Sequence, residues 1–124
     1  MNIPFVSILC STRGKSRLFC ALDTILKTSD REDIEILLKI DSDEIINEGT
    51  EPYIKILNEI GCDYKIIVYD KMAEYNDLHL FYADLCKLSC GNMLWIFYDD
   101  IMILSKNWVS QLKKAYSVFD DHIV

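Results

Sequence analysis

Four apolar segments, each followed by an amphipathic segment with helical spacing, constrain the fold of this 124-residue chain more than any other feature. Strands that alternate with helices favour a mainly parallel sheet with helices on both faces. The length suits one domain with a core of its own and is short for two. We therefore predict a single three-layer α/β/α domain over residues 1–124, with a sheet of about four strands. The predicted strands are Phe5–Cys10, Ile34–Ile40, Tyr64–Tyr69 and one that starts at Met93, and the predicted helices are Ser16 to about Lys27, Glu51–Ile60, Asp77–Cys90 and one capped by Ser105.

Polar side chains follow each predicted strand at its carboxyl end. In open parallel sheets, ligands bind beyond the carboxyl ends of the strands, so these four ends predict a binding site at one edge. The alternative is coincidence, because loops are polar in most proteins. The residues concerned are Ser11, Thr12 and Arg13, then Asp41, Ser42 and Asp43, then Asp70 and Lys71, and finally Asp99 and Asp100.

The fourth strand runs directly into two adjacent carboxylates. Its apolar run, Met93 to Tyr98, shows no alternation, which predicts a strand buried on both faces. Burying an unpaired carboxylate is costly, so Asp99 and Asp100 should lie where the strand leaves the sheet. Two acids in that position can hold a hard divalent cation against phosphates. The alternative interpretation is a solvated acidic turn.

Composition narrows the partners and the compartment. The net charge of −7 argues against nucleic acid or an anionic membrane as the main partner, since both require a basic surface. Five cysteines without a C-x-x-C pair or a completing histidine indicate core thiols in a reducing compartment. The N-terminus lacks the pattern of a signal peptide, and no apolar run reaches the ~20 residues of a transmembrane segment. These features predict a cytoplasmic protein.

A Gly-Lys-Ser sequence between the first strand and helix offers one nucleotide-binding interpretation. Gly14, Lys15 and Ser16 would end a P-loop, with the acidic pair after the fourth strand binding magnesium. The P-loop pattern requires a glycine where this chain has Leu9. Leucine within a strand cannot wrap phosphates, so the P-loop interpretation is the weaker one.

Several segments in register resemble the family 2 glycosyltransferases, which have the Rossmann-like GT-A fold. The segment Val6–Arg13 looks like the family's opening strand and turn, and Cys90–Asp100 looks like the run that carries its metal motif. Two departures are Tyr98, which replaces the first acid of the usual D-x-D motif, and Asn92, which replaces the acid after the glycine. Further matching segments are Ile34–Asp41, a second strand that ends in aspartate, Ser105–Trp108, the start of the next helix, and Tyr75–Tyr82, a helix of a bacterial subset.

The resemblance implies transfer of a sugar from a nucleoside diphosphate donor, a UDP- or GDP-sugar, to an acceptor hydroxyl. Asp100 would bind Mn²⁺ or Mg²⁺, which stabilises the departing diphosphate. Asp99, on the opposite side of the strand, would share the metal site or bond a ribose or sugar hydroxyl. Lys71 or His79 would offset diphosphate charge, although a lone histidine on a helix is as often simply packed.

The resemblance also predicts which residues form the nucleotide pocket and that this chain has no general base. Asp41 would accept a hydrogen bond from the base, with Thr12 and Arg13 around base and ribose, Ser11 beside them and Asp43 a further candidate. The family's general base lies beyond the metal motif, so we expect none in this chain, truncated before the acceptor-binding half. Residues 121–124 look like the start of a fifth strand. The alternative is a non-catalytic binding or structural remnant of the same fold.

Overall fold

The predicted alternation of strands and helices forms one four-stranded, all-parallel sheet in the computed structural model of the chain. The structure describes residues 3–12, 15–46, 48–69, 78–98 and 101–118. The strand order is β3-β2-β1-β4, with helices on both faces, which confirms the three-layer, Rossmann-like α/β prediction. The elements are β1 (Val6–Thr12), α1 (Lys15–Thr28), β2 (Ile34–Asp41), α2 (Glu51–Ile60), β3 (Asp63–Tyr69), α3 (Leu78–Leu88), β4 (Met93–Tyr98) and α4 (Trp108–Val118), with short 3₁₀ turns at Arg31–Asp33 and Ser42–Ile45.

Alternating strand residues divide the sheet into two unequal faces. The front face carries the even-numbered residues of β1 and β2 and packs against α1, α2 and α4, where most of the core lies. The rear face carries the odd-numbered residues of those strands and packs against α3. Its buried apolar cluster is small and consists of Leu9, Leu37, Tyr82 and Leu85, with Ile67 and Cys86 packed against them.

Several predicted boundaries move because the parallel ladder continues further than the apolar pattern. β1 reaches Thr12 and β2 reaches Asp41, so polar residues predicted to lie in loops are paired within the sheet. Helix α1 already begins at Lys15, so the prediction that Ser16 caps it is wrong. The predicted limits of α2 are confirmed. Gly61 ends α2 in the left-handed conformation with φ 78°, and its N–H donates to the Leu57 carbonyl.

The third and fourth helices are shorter than predicted. α3 ends at Leu88 rather than Cys90, and its predicted cap, Asp77, lies outside the described residues. α4 begins at Trp108, after Asn107 in the left-handed region with φ 61°, so Ser105 stands too far upstream to cap it. The predicted fifth strand at residues 121–124 also lies outside the described residues.

The prediction that β4 is buried on both faces is wrong. Its front-facing residues pack on the core, and Phe97 is fully buried there. On the rear face, Leu94, Ile96 and Tyr98 are 48%, 46% and 54% exposed. The physical reason is that α3 packs on β1 and β2, while α4 returns on the front face. The rear of β4 therefore receives no covering helix among the described elements.

A buried polar network fixes where β4 begins. The Ser7 hydroxyl donates to Glu35 Oε1 at 2.5 Å, and the Cys90 N–H donates to the same oxygen at 2.6 Å. The Gly91 N–H donates to Ser7 Oγ at 2.8 Å. Lys65 Nζ lies 3.8 Å from Glu35 Oε2, which partly compensates the charge of a carboxylate that is 3% exposed. These hydrogen bonds hold the turn before β4 to β1 and β2. They therefore fix where β4 begins, and with it the position of its carboxyl end at the other end of the strand.

Candidate functional site

The carboxyl ends of the four strands lie at one edge, as predicted for parallel strands. The chain crosses the sheet in one direction from β1 to β3 and then returns to place β4 on the other side of β1. Ligands bind in open parallel sheets at such a reversal, the topological switch point. In the register of the sheet, Ser11 lies between Lys39 of β2 and Tyr98 of β4. The candidate site is therefore centred beyond Ser11, Thr12 and Tyr98.

A buried ion pair lies beside this centre, at the end of β2. Lys39 and Asp41 are both fully buried, and the Lys39 ammonium donates to Asp41 Oδ1. Residues two apart on a strand point to the same face, which brings the two side chains together on the rear face. Lys39 Nζ also lies 4.4 Å from the centre of the Phe81 ring, over which a desolvated cation is stabilised. The pair thus neutralises two charges that burial would otherwise penalise strongly.

Helix α3 is joined to the end of β3 next to that pair. The Tyr69 hydroxyl donates to Asp84 Oδ2, and the Tyr69 and Phe81 rings meet edge to face with centroids 4.4 Å apart. Burial, reinforced by the hydrogen bond to the Asp84 carboxylate and its charge, raises the pKa of Tyr69 to about 12. Tyr69 therefore stays protonated at neutral pH and serves as a hydrogen-bond donor to α3.

Sequence reasoning identified Asp41 but not Lys39, Tyr69 or Asp84 as part of the site. The available signal was a lysine within an otherwise apolar strand, two residues before an aspartate. A buried lysine on a strand requires a partner on the same face, and Asp41 is the residue that the alternation offers. The Tyr69–Asp84 contact joins residues 15 apart and has no comparable local signal.

The predicted site residues fall into three groups. Thr12 and Asp41 are buried, with 1% and 0% exposure, at the ends of β1 and β2, and Ser11 is half-buried beside them. Asp43 is exposed in the turn after β2, and His79 is exposed in the first turn of α3. The remaining predicted residues, Arg13, Lys71, Asp99 and Asp100, lie outside the described residues.

Asp41 is less accessible to a ligand than its predicted role in binding the base requires. A ligand can hydrogen-bond this carboxylate only if the groups that cover it move, since none of its side-chain surface is accessible. One oxygen already accepts a hydrogen bond from Lys39. A carboxylate has about four lone-pair sites, so it can accept more than one hydrogen bond.

Two other features of the described residues bear on the site. No three side chains of His, Cys, Asp or Glu within the described ranges come together as a metal-binding group, and the predicted metal ligands lie outside those ranges. A cavity of about 930 Å³ is an open depression along α2. Its lining residues are Glu48, Glu51, Pro52, Ile54, Lys55, Asn58 and Glu59.

Comparison with known proteins adds no family to this geometry. No protein-family model matches the chain, and no curated protein shows significant similarity to it. Among the helices that the structure describes, none is both long and apolar enough to cross a membrane. The functional argument therefore depends on the sheet edge and on the sequence motifs that meet there.

Proposed function

We propose that this chain binds a nucleoside-diphosphate sugar, as the donor-binding part of a glycosyltransferase with the GT-A fold. The observation that carries the proposal is the strand order, which makes β1 and β4 neighbours at the topological switch point. Ser11 and Thr12 end β1 there, and Asp99 and Asp100 follow β4 directly in the sequence. In this proposal, neutral or weakly polar groups for a nucleoside would adjoin two carboxylates suited to a metal-bound diphosphate.

The donor set fits a hard divalent cation by its chemistry. Asp100 would bind Mn²⁺ or Mg²⁺ through carboxylate oxygen, with Asp99 as a second ligand or as the acceptor of a sugar or ribose hydroxyl. When bound, the metal would supply Lewis-acid stabilisation of the departing diphosphate. Lys71 or the exposed His79 would offset charge on the same phosphates, with Arg13 around base and ribose.

The burial of Asp41 determines how this carboxylate would take part in base recognition. Lys39 forms a buried ion pair with Asp41 behind the pocket and compensates its charge. Movement of the covering groups would let Asp41 accept a hydrogen bond from a base N–H, and Thr12 and Asp43 border the same strand end. Within this proposal the protein works in the cytoplasm, which agrees with five cysteines that are all free thiols.

Calorimetric titration with UDP and GDP, each with Mn²⁺ and with EDTA, tests the proposal directly. We expect one of the two nucleotides to bind in a Mn²⁺-dependent way, and Asp100→Asn to weaken that binding by about tenfold or more. The matched control is Asp23→Asn, because Asp23 is an exposed acid of α1 paired with Lys27 and remote from the strand ends in sequence. Equal affinity of the parent chain in Mn²⁺ and in EDTA would contradict the metal assignment.

A second titration tests Asp41 on the folded protein. Asp41→Ala should weaken nucleotide binding by ~1–3 kcal/mol, the cost of removing one hydrogen-bond partner from a buried polar group. Circular dichroism at the titration temperature establishes that the variant is folded. Unchanged affinity in the folded variant would remove Asp41 from base recognition while leaving the metal test unaffected.

A further inference from the structure

Helix α3 is attached to the rear face of the sheet through a small apolar contact. Among the α3 side chains that the structure describes, only Tyr82 and Leu85 are buried. Leu80 and Leu88 of the same helix are 53% and 41% exposed. Segments with few buried apolar contacts open locally at a lower free-energy cost than the core does. The polar and ring contacts of α3 therefore contribute a large share of what holds this helix in place.

The contacts of α3 near the carboxyl ends of the strands converge on one buried ammonium group. Lys39 Nζ donates to the Asp41 carboxylate and lies 4.4 Å from the centre of the Phe81 ring. The same nitrogen lies 5.8 Å from the centre of the Tyr69 ring, and the Tyr69 hydroxyl donates to Asp84 of α3. Lys39 thus contacts both a carboxylate of the candidate site and a ring of the helix. A displacement of its ammonium group changes both contacts together.

We propose that Lys39 is a positioning residue that links occupancy of the candidate site to the docking of α3. The inference rests on the proposed function, because it requires a ligand that bonds Asp41. Asp41 is fully buried, so a ligand reaches its carboxylate only when the groups that cover it move. A ligand that draws the carboxylate away from Lys39 weakens the ion pair, and the ammonium group then loses its fixed position over the Phe81 ring. Ligand binding and α3 docking therefore oppose each other.

This opposition acts in both directions. Coupling between two binding events is reciprocal, so a ligand that loosens α3 must bind more tightly to a chain in which α3 is already loosened. Such coupling commonly changes affinity by about 5–150-fold. A residue with a purely structural role would give the opposite result, since damage to the fold weakens binding. The sign of the change in affinity therefore distinguishes a positioning role from a structural one.

Hydrogen exchange of the ligand-free chain, followed by mass spectrometry, tests the link between Asp41 and α3. Asp41→Asn keeps the size of the side chain and an oxygen that Lys39 can bond, but removes one charge of the ion pair. Exchange in residues 81–88 of α3, relative to exchange in α2, should be about fivefold or more faster than in the parent chain. Asp23→Asn is the matched control, because Asp23 pairs with Lys27 on the exposed surface of α1. An unchanged ratio would overturn the inference, whether or not a nucleotide binds.

The same measurement with ligand tests the direction of the effect. UDP or GDP with Mn²⁺, whichever binds the parent chain, should speed exchange in residues 81–88 and leave exchange in α2 unchanged. Slower or unchanged exchange in residues 81–88 at saturating nucleotide would overturn the inference and leave the proposed function intact. Failure of both nucleotides to bind would instead contradict the proposed function, and the ligand-free comparison would then decide the link between Asp41 and α3.

A third measurement loosens α3 from its own side. Tyr69→Phe removes the hydroxyl that is donated to Asp84 and keeps the ring that meets Phe81 with centroids 4.4 Å apart. This variant should bind the nucleotide with a dissociation constant about fivefold lower than that of the parent chain. Tyr64→Phe is the matched control on the same strand, because the Tyr64 hydroxyl donates to Asn58 at the exposed surface. Equal or weaker binding by Tyr69→Phe would overturn the inference.

Discussion

Replacing Lys39 with methionine tests how far the buried ion pair at the end of β2 stabilises the fold. Methionine keeps the length and apolar stem of the side chain but removes the ammonium that donates to Asp41. The Asp41 carboxylate, with 0% exposure, would then lose the nearby Lys39 charge without gaining contact with water. Removing one charge of a buried ion pair is among the most destabilising changes that one substitution can make.

The expected loss follows from three contributions. Breaking one side of a buried ion pair costs ~3–5 kcal/mol. Loss of the contact between Lys39 Nζ and the Phe81 ring, 4.4 Å apart, removes ~2 kcal/mol for a desolvated cation. A methionine sulfur near the same ring returns ~0.3–1.5 kcal/mol. We therefore expect Lys39→Met to lower the free energy of unfolding by about 4–7 kcal/mol, a large share of the ~5–15 kcal/mol of a whole domain.

Urea denaturation followed by circular dichroism measures this loss. The control is Lys27→Met, because Lys27 Nζ lies 2.7 Å from Asp23 Oδ2 while both side chains are more than half exposed. That surface pair should contribute at most ~0.5 kcal/mol. The double variant Lys39→Met/Asp41→Leu should recover much of the loss, since an apolar pair no longer holds a stranded charge. The reasoning is refuted if Lys39→Met costs no more than Lys27→Met, or if the double variant is no more stable than the single one.

Three further predictions concern other contacts. A Cβ at Gly91 would lie 2.5 Å from Ser7 Oγ and 2.7 Å from the Ser7 backbone nitrogen. Gly91→Ala should therefore lower the free energy of unfolding, measured by urea denaturation, by ~1–3 kcal/mol. Gly49→Ala is the control, because it adds backbone strain at φ +67° without a clash. Above pH 10 the unfolded chain loses the Tyr69 proton before the folded chain, whose pKa is about 12, so stability should fall from pH 10 to 12 and fall less in Tyr69→Phe; parallel pH curves would contradict this. Burial raises the pKa of Cys62 to about 11 from 9.0, so at pH 8 its thiolate is about 100-fold scarcer than that of an exposed cysteine. Mass spectrometry should therefore find iodoacetamide on the exposed Cys20 well before it finds it on Cys62. Equal labelling rates would refute the assignment.

The sequence predicted the layers of the fold because local periodicity reports burial on a strand or helix. Helix α2 illustrates this, since its apolar spacing and Gly61 predicted both limits that the structure shows. The exposed rear of β4 could not be predicted in the same way. An apolar side chain such as Ile96 indicates that burial would be favourable, but not whether a helix is present to bury it. That outcome depends on α3 packing over β1 and β2, which is a property of the whole topology.

The candidate site was partly predictable for a related reason. Polar residues after each strand indicate one edge, whereas the strands that adjoin within that edge depend on the order β3-β2-β1-β4. The network that positions β4 joins Ser7, Glu35 and Gly91 across 28 to 84 residues, so it leaves no short-range pattern in the sequence. The Lys39–Asp41 pair could have been predicted from strand alternation alone, because its residues are two apart on one strand.

The two faces of the sheet are stabilised by different kinds of contact. On the rear face, polar contacts hold α3 in place at both ends of the strands. Front-face helices pack through a large apolar cluster, whereas the rear face holds a small cluster flanked by buried charges. At the amino end Glu35 bonds the turn that follows α3, and at the carboxyl end Lys39 and Tyr69 contact Phe81 and Asp84 of α3 itself. Polar contacts are directional and lose strength when one partner shifts, while apolar contacts tolerate small displacements. The position of α3 is therefore tied to the charge state and geometry of the strand ends, and a ligand that reorganises Asp41 would act on α3 through Lys39.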